Sequence, residues 1–266
     1  TSSDETYKSY KGIALRKESV VNADSSGYVD YYVREGARIS LNTTLYSMDA
    51  DGTINKLLSE MSEKDTTLTD DDITKLKDKI YTFTNNYDDM DFNEVYNFKN
   101  NVQGTVADLI NMNALDSLIK NNSDSQFSIN KARNTGIVLY RFDGYENKKA
   151  KELTMDDFRA KNYSSQLVNS GDYVEANEPI YKSITDDEWS IVVPFTKNEV
   201  KKYKDTVGVK IKFNKDNITT TANIKIVKGA DGNNYGVITL AKYVVRYATD
   251  RFVRFFIVRF FISISS

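Results

Sequence analysis

The sequence ADSSGYVDY at residues 23–31 and the sequence ARNTGIVLY at residues 132–140 follow one template, A-x-x-[ST]-G-x-V-x-Y. A second pattern follows each copy at a distance. A glycine, Gly36 or Gly171, is followed three residues later by an aliphatic residue and nine residues later by another. An internal repeat has to be found first, because a repeated unit that cannot bury its own apolar face folds only against a neighbouring copy.

Each copy has the pattern of two short strands joined at glycines. Val29 and Tyr31 alternate with other residues, which is typical of a strand with one buried face. Four glycines are predicted to allow the tight turns of the two copies: Gly27, Gly36, Gly136 and Gly171. A two-strand unit is not stable alone, so we predict that residues 10–52 and 124–182 pack together as one split sandwich.

The composition excludes several classes of function. The chain has 266 residues, a net charge of −2, no cysteine and no histidine. It therefore lacks thiol nucleophiles, Ser-His-Asp triads and zinc-finger ligands, and it has no basic footprint for nucleic acid. No run of about 18 apolar residues is present. We predict a protein that is not an enzyme and that has no cofactor, no catalytic residue and no resident metal.

Residues 53–122 have the periodicity of helices. Apolar residues recur at spacings of three and four, and Thr69 before three aspartates is a good helix N-cap. A polar break separates two such stretches, so we predict an antiparallel α-helical hairpin over residues 53–123. Its tip, a possible contact with a partner, is expected at Asn86, Tyr87, Asp88 and Asp89.

Two acidic segments could have a chemical role or a purely structural one. Residues 49–52 (DADG) resemble the start of a calcium loop, but the glycine comes at the fourth position instead of the sixth, so an exposed turn competes with calcium. Asp143 and Glu146 could be paired carboxylates for hydrolysis. They fit the roles of turn and cap residues as well, since no aromatic cleft pattern accompanies them.

The last third of the chain predicts a small β-barrel over residues 183–266. A short helix is expected at 154–158 before it and another at 197–203 within it. The predicted strands are 188–193, 207–213, 221–227, 235–240 and 243–247. The end, residues 251–261 (RFVRFFIVRFF), is too short and too charged to span a bilayer. It could be a barrel strand, a surface that meets a membrane or a damaged end.

This order of segments resembles the HlyD-like membrane fusion proteins, the adaptor subunits of export pumps. The resemblance rests on the two repeat copies and on residues 170–182, which run into residues 188–194 (EWSIVVP). Residues 136–138 and 143–146 (DGYE) are most similar to adaptors of Gram-positive, Clostridia-type bacteria. The family implies a mainly β fold with an inserted α-helical hairpin, in which a lipoyl-like barrel-sandwich hybrid is joined to a small β-barrel.

The chain departs from the family in four ways, one of which is that the tail after Arg251 differs from the expected continuation into a membrane-proximal domain. Neither half of the sandwich has a lysine in the turn where lipoyl carrier domains are modified, so a swinging-arm cofactor is not expected. The family's N-terminal membrane anchor is absent from this sequence. The tip at residues 86–90 lacks the Arg/Leu/Ser pattern with which Gram-negative members meet an outer-membrane duct.

The resemblance implies an extracytoplasmic adaptor, anchored to the cell membrane through a missing N-terminal segment. Its expected partner is an inner-membrane transporter of the ABC type, a permease with its ATPase, and self-association into a homo-oligomer is expected. Nucleic acid is not an expected partner. The alternative is a cell-wall or glycan-binding surface module, for which the 18 tyrosines could supply an aromatic platform. A carboxylate-dependent hydrolase is a third hypothesis.

Overall fold

The structure, a computed structural model, describes residues 7–52, 56, 71, 72, 74, 75 and 127–262. These residues are mainly in β-strands, which confirms the mainly β part of the predicted fold class. The predicted hairpin, 53–123, is described at five positions only, all of them helical. Its predicted tip, 86–89, lies outside the described residues. Within the described residues, no helix combines the length and the apolarity needed to cross a membrane.

The described strands and helices are short, apart from three long strands. The strands are β1 (Ser9–Asn22), β2 (Gly27–Tyr31), β3 (Arg38–Ile39), β4 (Thr44–Asp49), β5 (Phe127–Lys131), β6 (Gly136–Leu139), β7 (Arg141–Phe142), β8 (Gln166–Leu167), β9 (Tyr173–Val174), β10 (Pro179–Pro194), β11 (Thr206–Phe213), β12 (Thr219–Lys228), β13 (Asn234–Leu240) and β14 (Phe252–Ile262). The helices are α1 (Lys197–Tyr203) and three 3₁₀ turns, Ala150–Glu152, Met155–Phe158 and Ala160–Asn162.

The chain divides into two compact units. Among the described residues, the barrel unit comprises 7–21, 134–168 and 179–262. The sheet unit comprises 22–52, 127–133 and 169–178, with the five helical positions. The predicted sandwich segments, 10–52 and 124–182, are each divided between these units. The split sandwich therefore stays a prediction.

Six strands of the barrel unit form a closed ring. Their order is β1-β14-β11-β12-β13-β10, and β10 also pairs with β1. The predicted barrel range, 183–266, does not contain β1, the strand that completes this ring. At Gly12 of β1 an added Cβ would lie 2.3 Å from Ile191 Cγ2, so glycine permits the close packing of β1 on β10.

Apolar side chains from all six strands fill the barrel. Trp189, the single tryptophan of the chain, is buried there against Phe213 and Tyr247. The alternating pattern of β11, with Val209, Ile211 and Phe213 fully buried, puts one face of that strand into this core. Trp189 is therefore a built-in fluorescence reporter for unfolding of the barrel unit.

The elements predicted after residue 183 are confirmed with one exception. Helix α1 has the predicted bounds because Thr196 caps it, with the Thr196 Oγ1 accepting from the N–H of Glu199. The helix expected at 154–158 is present as a 3₁₀ turn. Residues Phe252–Ile262, which contain most of the predicted segment 251–261, form a barrel strand, β14.

The strand predicted at residues 243–247 is wrong, because no strand is present there and residues 244–249 form consecutive turns. Tyr243 has a φ of 69°, and the N–H groups of Arg246 and Tyr247 donate to carbonyls three residues back. The buried residues here, Val244 and Tyr247, are three apart, which is a turn spacing and not a strand spacing.

The sheet unit contains a four-stranded antiparallel sheet in the order β5-β4-β2-β9. Strand β2 belongs to the first repeat copy, and β9 follows the second glycine of the other copy. Gly27 lies opposite Val174, and Tyr28 lies opposite Tyr173. Parts of both repeats therefore meet as neighbouring strands of one sheet.

The four predicted turn glycines fall into two groups. Gly36 and Gly171 have φ values of 86° and 94°, which a residue with a Cβ adopts only under strain. Gly27 and Gly136 begin strands instead. A Cβ on Gly27 would lie 2.8 Å from the carbonyl oxygen of Asp49, and one on Gly136 would lie 2.3 Å from that of Ile184. Close backbone approach, rather than turning, requires glycine at these two positions.

Gly136→Ala should destabilise the barrel unit by about 2 kcal/mol, because its Cβ would collide with a backbone oxygen of β10. Gly208→Ala is the matched control. Gly208 is in β11, and its nearest neighbours would be 3.5 Å from a Cβ, an ordinary contact. This change should stabilise by about 0.5 kcal/mol, because it reduces the freedom of the unfolded chain. Urea unfolding followed by Trp189 fluorescence measures both; equal effects would contradict the steric explanation.

Candidate functional site

The barrel unit contains a buried group of six charged side chains, which we call the charge cluster. Its members come from four separate segments of the chain: Arg16 and Glu18 on β1, Asp143 and Glu146 after β7, Lys182 on β10, and Arg251 just before β14. Their side chains are at most 9% exposed. Three positive and three negative groups balance, as buried charges require.

Glu18 is at the centre of this cluster. Its carboxylate accepts from Arg251 Nη2 at 2.9 and 3.1 Å and lies 2.9 Å from Lys182 Nζ. The side chain of Glu18, on strand β1, is fully buried. One carboxylate thus joins β1, β10 and the start of β14.

Asp143 holds Arg251 from the other side. Arg251 Nε donates to Asp143 Oδ2 at 2.8 Å, and Nη2 donates to Oδ1 at 3.1 Å, a two-pronged pair. The Tyr163 hydroxyl also donates to Oδ2 at 3.0 Å. Burial opposes the charged carboxylate, but hydrogen bonds and the charge of Arg251 outweigh it and lower the pKa of Asp143 below its ordinary value. Burial with the Asp143 charge and hydrogen bond raises the pKa of Tyr163 to about 12.

Arg251 is the most connected cation. Besides the two carboxylates, its Nη1 donates to the carbonyl oxygen of Ala14 at 2.7 Å. Burial lowers its pKa, but the charges of Glu18 and Asp143 raise it further, so the net shift is upwards. This arginine therefore stays charged and fastens the beginning of β14 to β1.

Arg16 is less well compensated. Its Nη1 donates to the carbonyl oxygens of Tyr247 and Asp250 at 3.0 and 2.8 Å, whereas its Nε is buried and has no hydrogen-bond partner among the described residues. Burial, opposed by Glu18 and aided by the repulsion of Arg251, lowers its pKa to about 10.

The two carboxylates singled out in the sequence are both in this cluster. Asp143 Oδ1 also accepts from the N–H of Tyr145, and Glu146 Oε1 accepts from the N–H of Asp143 at 2.8 Å. These are the predicted turn bonds. Glu146 Oε1 is also 3.1 Å from Lys182 Nζ. The donors around both carboxylates hold them in ion pairs and turn bonds, which is a structural arrangement and not the free pair that hydrolysis needs.

Sequence reasoning missed the four other members. A signal was present at two of them: Lys182 stands between apolar residues in IYKSI, residues 180–184, and Glu18 stands in a strand that is otherwise mostly buried. Charged residues in such positions are rarely buried unless they are paired. Which cation meets which carboxylate could not be read from the sequence.

The lowered pKa of Asp143 gives a pH-dependent stability. The folded protein binds this proton more weakly than the unfolded chain, so stability is fully present at neutral pH and is lost as the pH falls below about 4. Asp143→Asn should therefore lose less stability than the wild type between neutral pH and about pH 3. Urea unfolding at both pH values measures this difference; an equal loss in both proteins would contradict the role of Asp143.

The barrel has a counterpart among known families. Residues 189–259 match the family described as RND related, beta-barrel domain. This range contains β11, β12 and β13, the last third of β10 and most of β14, so it includes all or part of five of the six barrel strands. Comparison with curated protein sequences finds no match.

Several solved structures are similar at low sequence identity. ZneB from Cupriavidus metallidurans has a TM-score of 0.45 at 6% identity, over 94% of this chain and 97% of that chain. MacA from Actinobacillus actinomycetemcomitans has a TM-score of 0.39 at 14% identity, over 97% of this chain and 80% of that chain. The membrane fusion protein Spr0693 from Streptococcus pneumoniae R6 has a TM-score of 0.34 at 11% identity, over 93% of this chain and 98% of that chain. All three scores are below 0.5, a loose likeness.

The family match covers residues that also carried the resemblance predicted from the sequence, since residues 189–194 (WSIVVP) of that stretch begin the matched range. The predicted resemblance is confirmed. Over residues 189–259 this chain is similar to the family described as RND related, beta-barrel domain, and this match supports the resemblance to membrane fusion adaptors.

Proposed function

We propose that this protein is an extracytoplasmic adaptor that links an inner-membrane exporter to its export route. The observation that carries the proposal is the closed six-stranded barrel, of which residues 189–259 match the RND-related β-barrel domain. An adaptor acts by binding its partners and not by catalysis, so its function needs a rigid scaffold with exposed contact surfaces.

The charge cluster supports a scaffold role in physical terms. It joins β1, β10, the loop after β7 and the start of β14, which are far apart in the chain. Breaking a buried pair leaves a charge without compensation, which costs several kcal/mol. Separating these strands would therefore break buried ion pairs and cost free energy, which keeps the barrel unit rigid.

The finer assignments belong to the same proposal. The transporter is of the ABC type, with a permease and an ATPase, the adaptor works as a homo-oligomer, and an N-terminal segment anchors it to the cell membrane. The lipoyl-like sandwich is formed by segments 10–52 and 124–182, and the hairpin over 53–123 projects from it, with residues 86–89 as its partner contact. These assignments follow from the resemblance of the sequence to the family.

Photo-crosslinking in the producing cell tests the transporter partner. A photoreactive residue is placed at exposed positions of the barrel unit, Leu167 and Val245, and at Leu41 of the sheet unit as a comparison. We expect adducts with permease or ATPase subunits from at least one position, and deletion of the gene should reduce export. Recovery of no transporter subunit from any position, with unchanged export in the deletion strain, would overturn the proposal.

The alternative, a glycan-binding module, has one observation in its favour. Tyr28 and Tyr173 are adjacent and exposed on the sheet unit. Their ring planes, however, make an angle of 75°, with centroids 5.2 Å apart, so they do not form one flat stacking platform. Binding to cell-wall glycan that is lost in Tyr173→Ala would favour this alternative over the adaptor.

A further inference from the structure

The paired ends of β11 and β14 expose a cluster of large apolar side chains. Thr206 lies opposite Ile262 and Gly208 lies opposite Phe261 in this antiparallel pair. Between 37% and 57% of the surface of each of four residues is exposed: Val207, Phe260, Phe261 and Ile262. We call these four residues, with Lys202 and Arg259, the aromatic–basic edge.

At this edge, side chains on both faces of β14 are exposed to solvent. Along the first part of β14 buried and more exposed residues alternate, as expected for a strand over a core. From Arg259 to Ile262 all four residues are exposed. Side chains that point to opposite faces are thus uncovered at the same strand end, which is unusual for large apolar residues.

Two cations flank the exposed rings. Arg259 Cζ is 5.3 Å from the centre of the Phe261 ring, and Lys202 Nζ is 5.6 Å from that of Phe260. Within the described part of the chain, neither cation has a carboxylate within ion-pair distance. The segment 201–205 (KKYKD) carries three lysines and one aspartate, so the edge has a positive balance.

A cleft adjoins the edge on the side of α1. It has a volume of about 450 Å³ and is lined by Tyr7, Lys202, Tyr203 and residues 257–260. Helix α1 also contains a carboxylate, Glu199, which is buried. Glu199 accepts hydrogen bonds from Lys8 Nζ at 3.1 Å and from the Tyr10 hydroxyl. The cations of the edge are therefore left to bind an external anion.

We propose that the aromatic–basic edge docks on a negatively charged lipid bilayer. Phenylalanine and aliphatic side chains insert at the boundary between lipid headgroups and acyl chains, and lysine and arginine beside them are attracted by acidic headgroups. A groove on a protein partner would cover one face of β14. The interfacial zone of a bilayer surrounds an inserted strand end and covers both faces, which fits the observed exposure. This inference goes beyond the adaptor role and does not depend on a transporter.

Flotation of the purified full chain with lipid vesicles tests the proposal. We expect binding to phosphatidylglycerol vesicles and much weaker binding to phosphatidylcholine vesicles. The double variant Phe260→Ser/Phe261→Ser should bind phosphatidylglycerol at least about tenfold more weakly. Lys202→Gln and Arg259→Gln should each weaken binding about fivefold, the factor expected for one cation near an acidic surface.

Matched controls separate the edge from general effects. Val245→Ser removes an exposed apolar side chain elsewhere on the barrel unit, and Lys225→Gln removes an exposed cation on β12. Both should bind as the wild type does. Unchanged Trp189 fluorescence in every variant shows that the barrel is folded.

Three outcomes would overturn the proposal. The first is the absence of binding to phosphatidylglycerol vesicles. The second is binding that the edge variants and the control variants reduce equally. The third is unchanged vesicle binding together with loss of a co-purifying protein in Phe260→Ser/Phe261→Ser, which would assign the edge to an acidic protein partner.

Discussion

Replacing Arg251 with methionine is expected to lower the free energy of unfolding of the barrel unit by about 3–5 kcal/mol. Methionine fills part of the volume but leaves the carboxylate of Asp143 buried without its cation and leaves Glu18 with Lys182 as its nearest cation, at a site where Arg251 makes contacts of 2.8–3.1 Å with both carboxylates. It also leaves the carbonyl oxygen of Ala14 without its donor. A loss of this size lowers the melting temperature by about 10 °C.

Urea unfolding followed by Trp189 fluorescence measures this effect, because Trp189 is in the same unit. Arg246→Met is the matched control. Arg246 pairs with Asp216 at 3.2 Å, but its side chain is 32% exposed, so its loss should cost about 1 kcal/mol or less.

A double variant distinguishes loss of the ion pair from loss of packing. Glu18→Gln removes a buried negative charge, so combined with Arg251→Met it should cost clearly less than the sum of the two single changes. Additive costs would contradict the ion-pair explanation, as would an Arg251→Met variant no less stable than Arg246→Met.

Much of the barrel could be predicted from local sequence because each signal is contained in a few residues. The alternation in β11 and the turn sequence between β12 and β13 decide the backbone by themselves. The cap Thr196 with Glu199 three residues later decides the start of α1 in the same way.

Barrel closure could not be predicted in this way. Strand β1 is mostly buried along residues 10–15, a pattern that fits any interior sheet and does not name its neighbour. Its partners, β14 and β10, are more than 150 residues away in the chain. The similarity between the two repeats predicts a sandwich and contains no signal for the pairing of β1 with β14 and β10.

The charge cluster shows the same limit at the level of side chains. Asp143 and Glu146 were singled out because they are close together in the sequence, and their turn bonds are local. Their cations, Arg251 and Lys182, come from distant segments that only the folded barrel brings together. A local sequence pattern identifies which carboxylates accept the hydrogen bonds of a turn, whereas the pairing of charges depends on the topology of the fold.

Trp189→Ala is the second change from which we expect a large effect, a destabilisation of about 3–5 kcal/mol. The indole is 1% exposed and is stacked on Tyr247 at 5.5 Å and on Phe213 at 6.3 Å between ring centres. Its Nε1–H donates to the carbonyl oxygen of Lys242 at 2.8 Å. Alanine would leave a large cavity between strands and turn, and it would remove the hydrogen bond that holds the turn.

Trp189→Phe separates these two contributions, because phenylalanine keeps most of the stacking but has no N–H group. It should cost about 1–2 kcal/mol, the value of the lost hydrogen bond and a smaller cavity. Circular dichroism during urea unfolding measures both variants, since each lacks the fluorescent side chain. Val245→Ala, at a 44% exposed position of the same unit, is the control and should be nearly neutral. If Trp189→Ala costs no more than Val245→Ala, the aromatic stack does not hold the turn at residues 243–247 against the barrel.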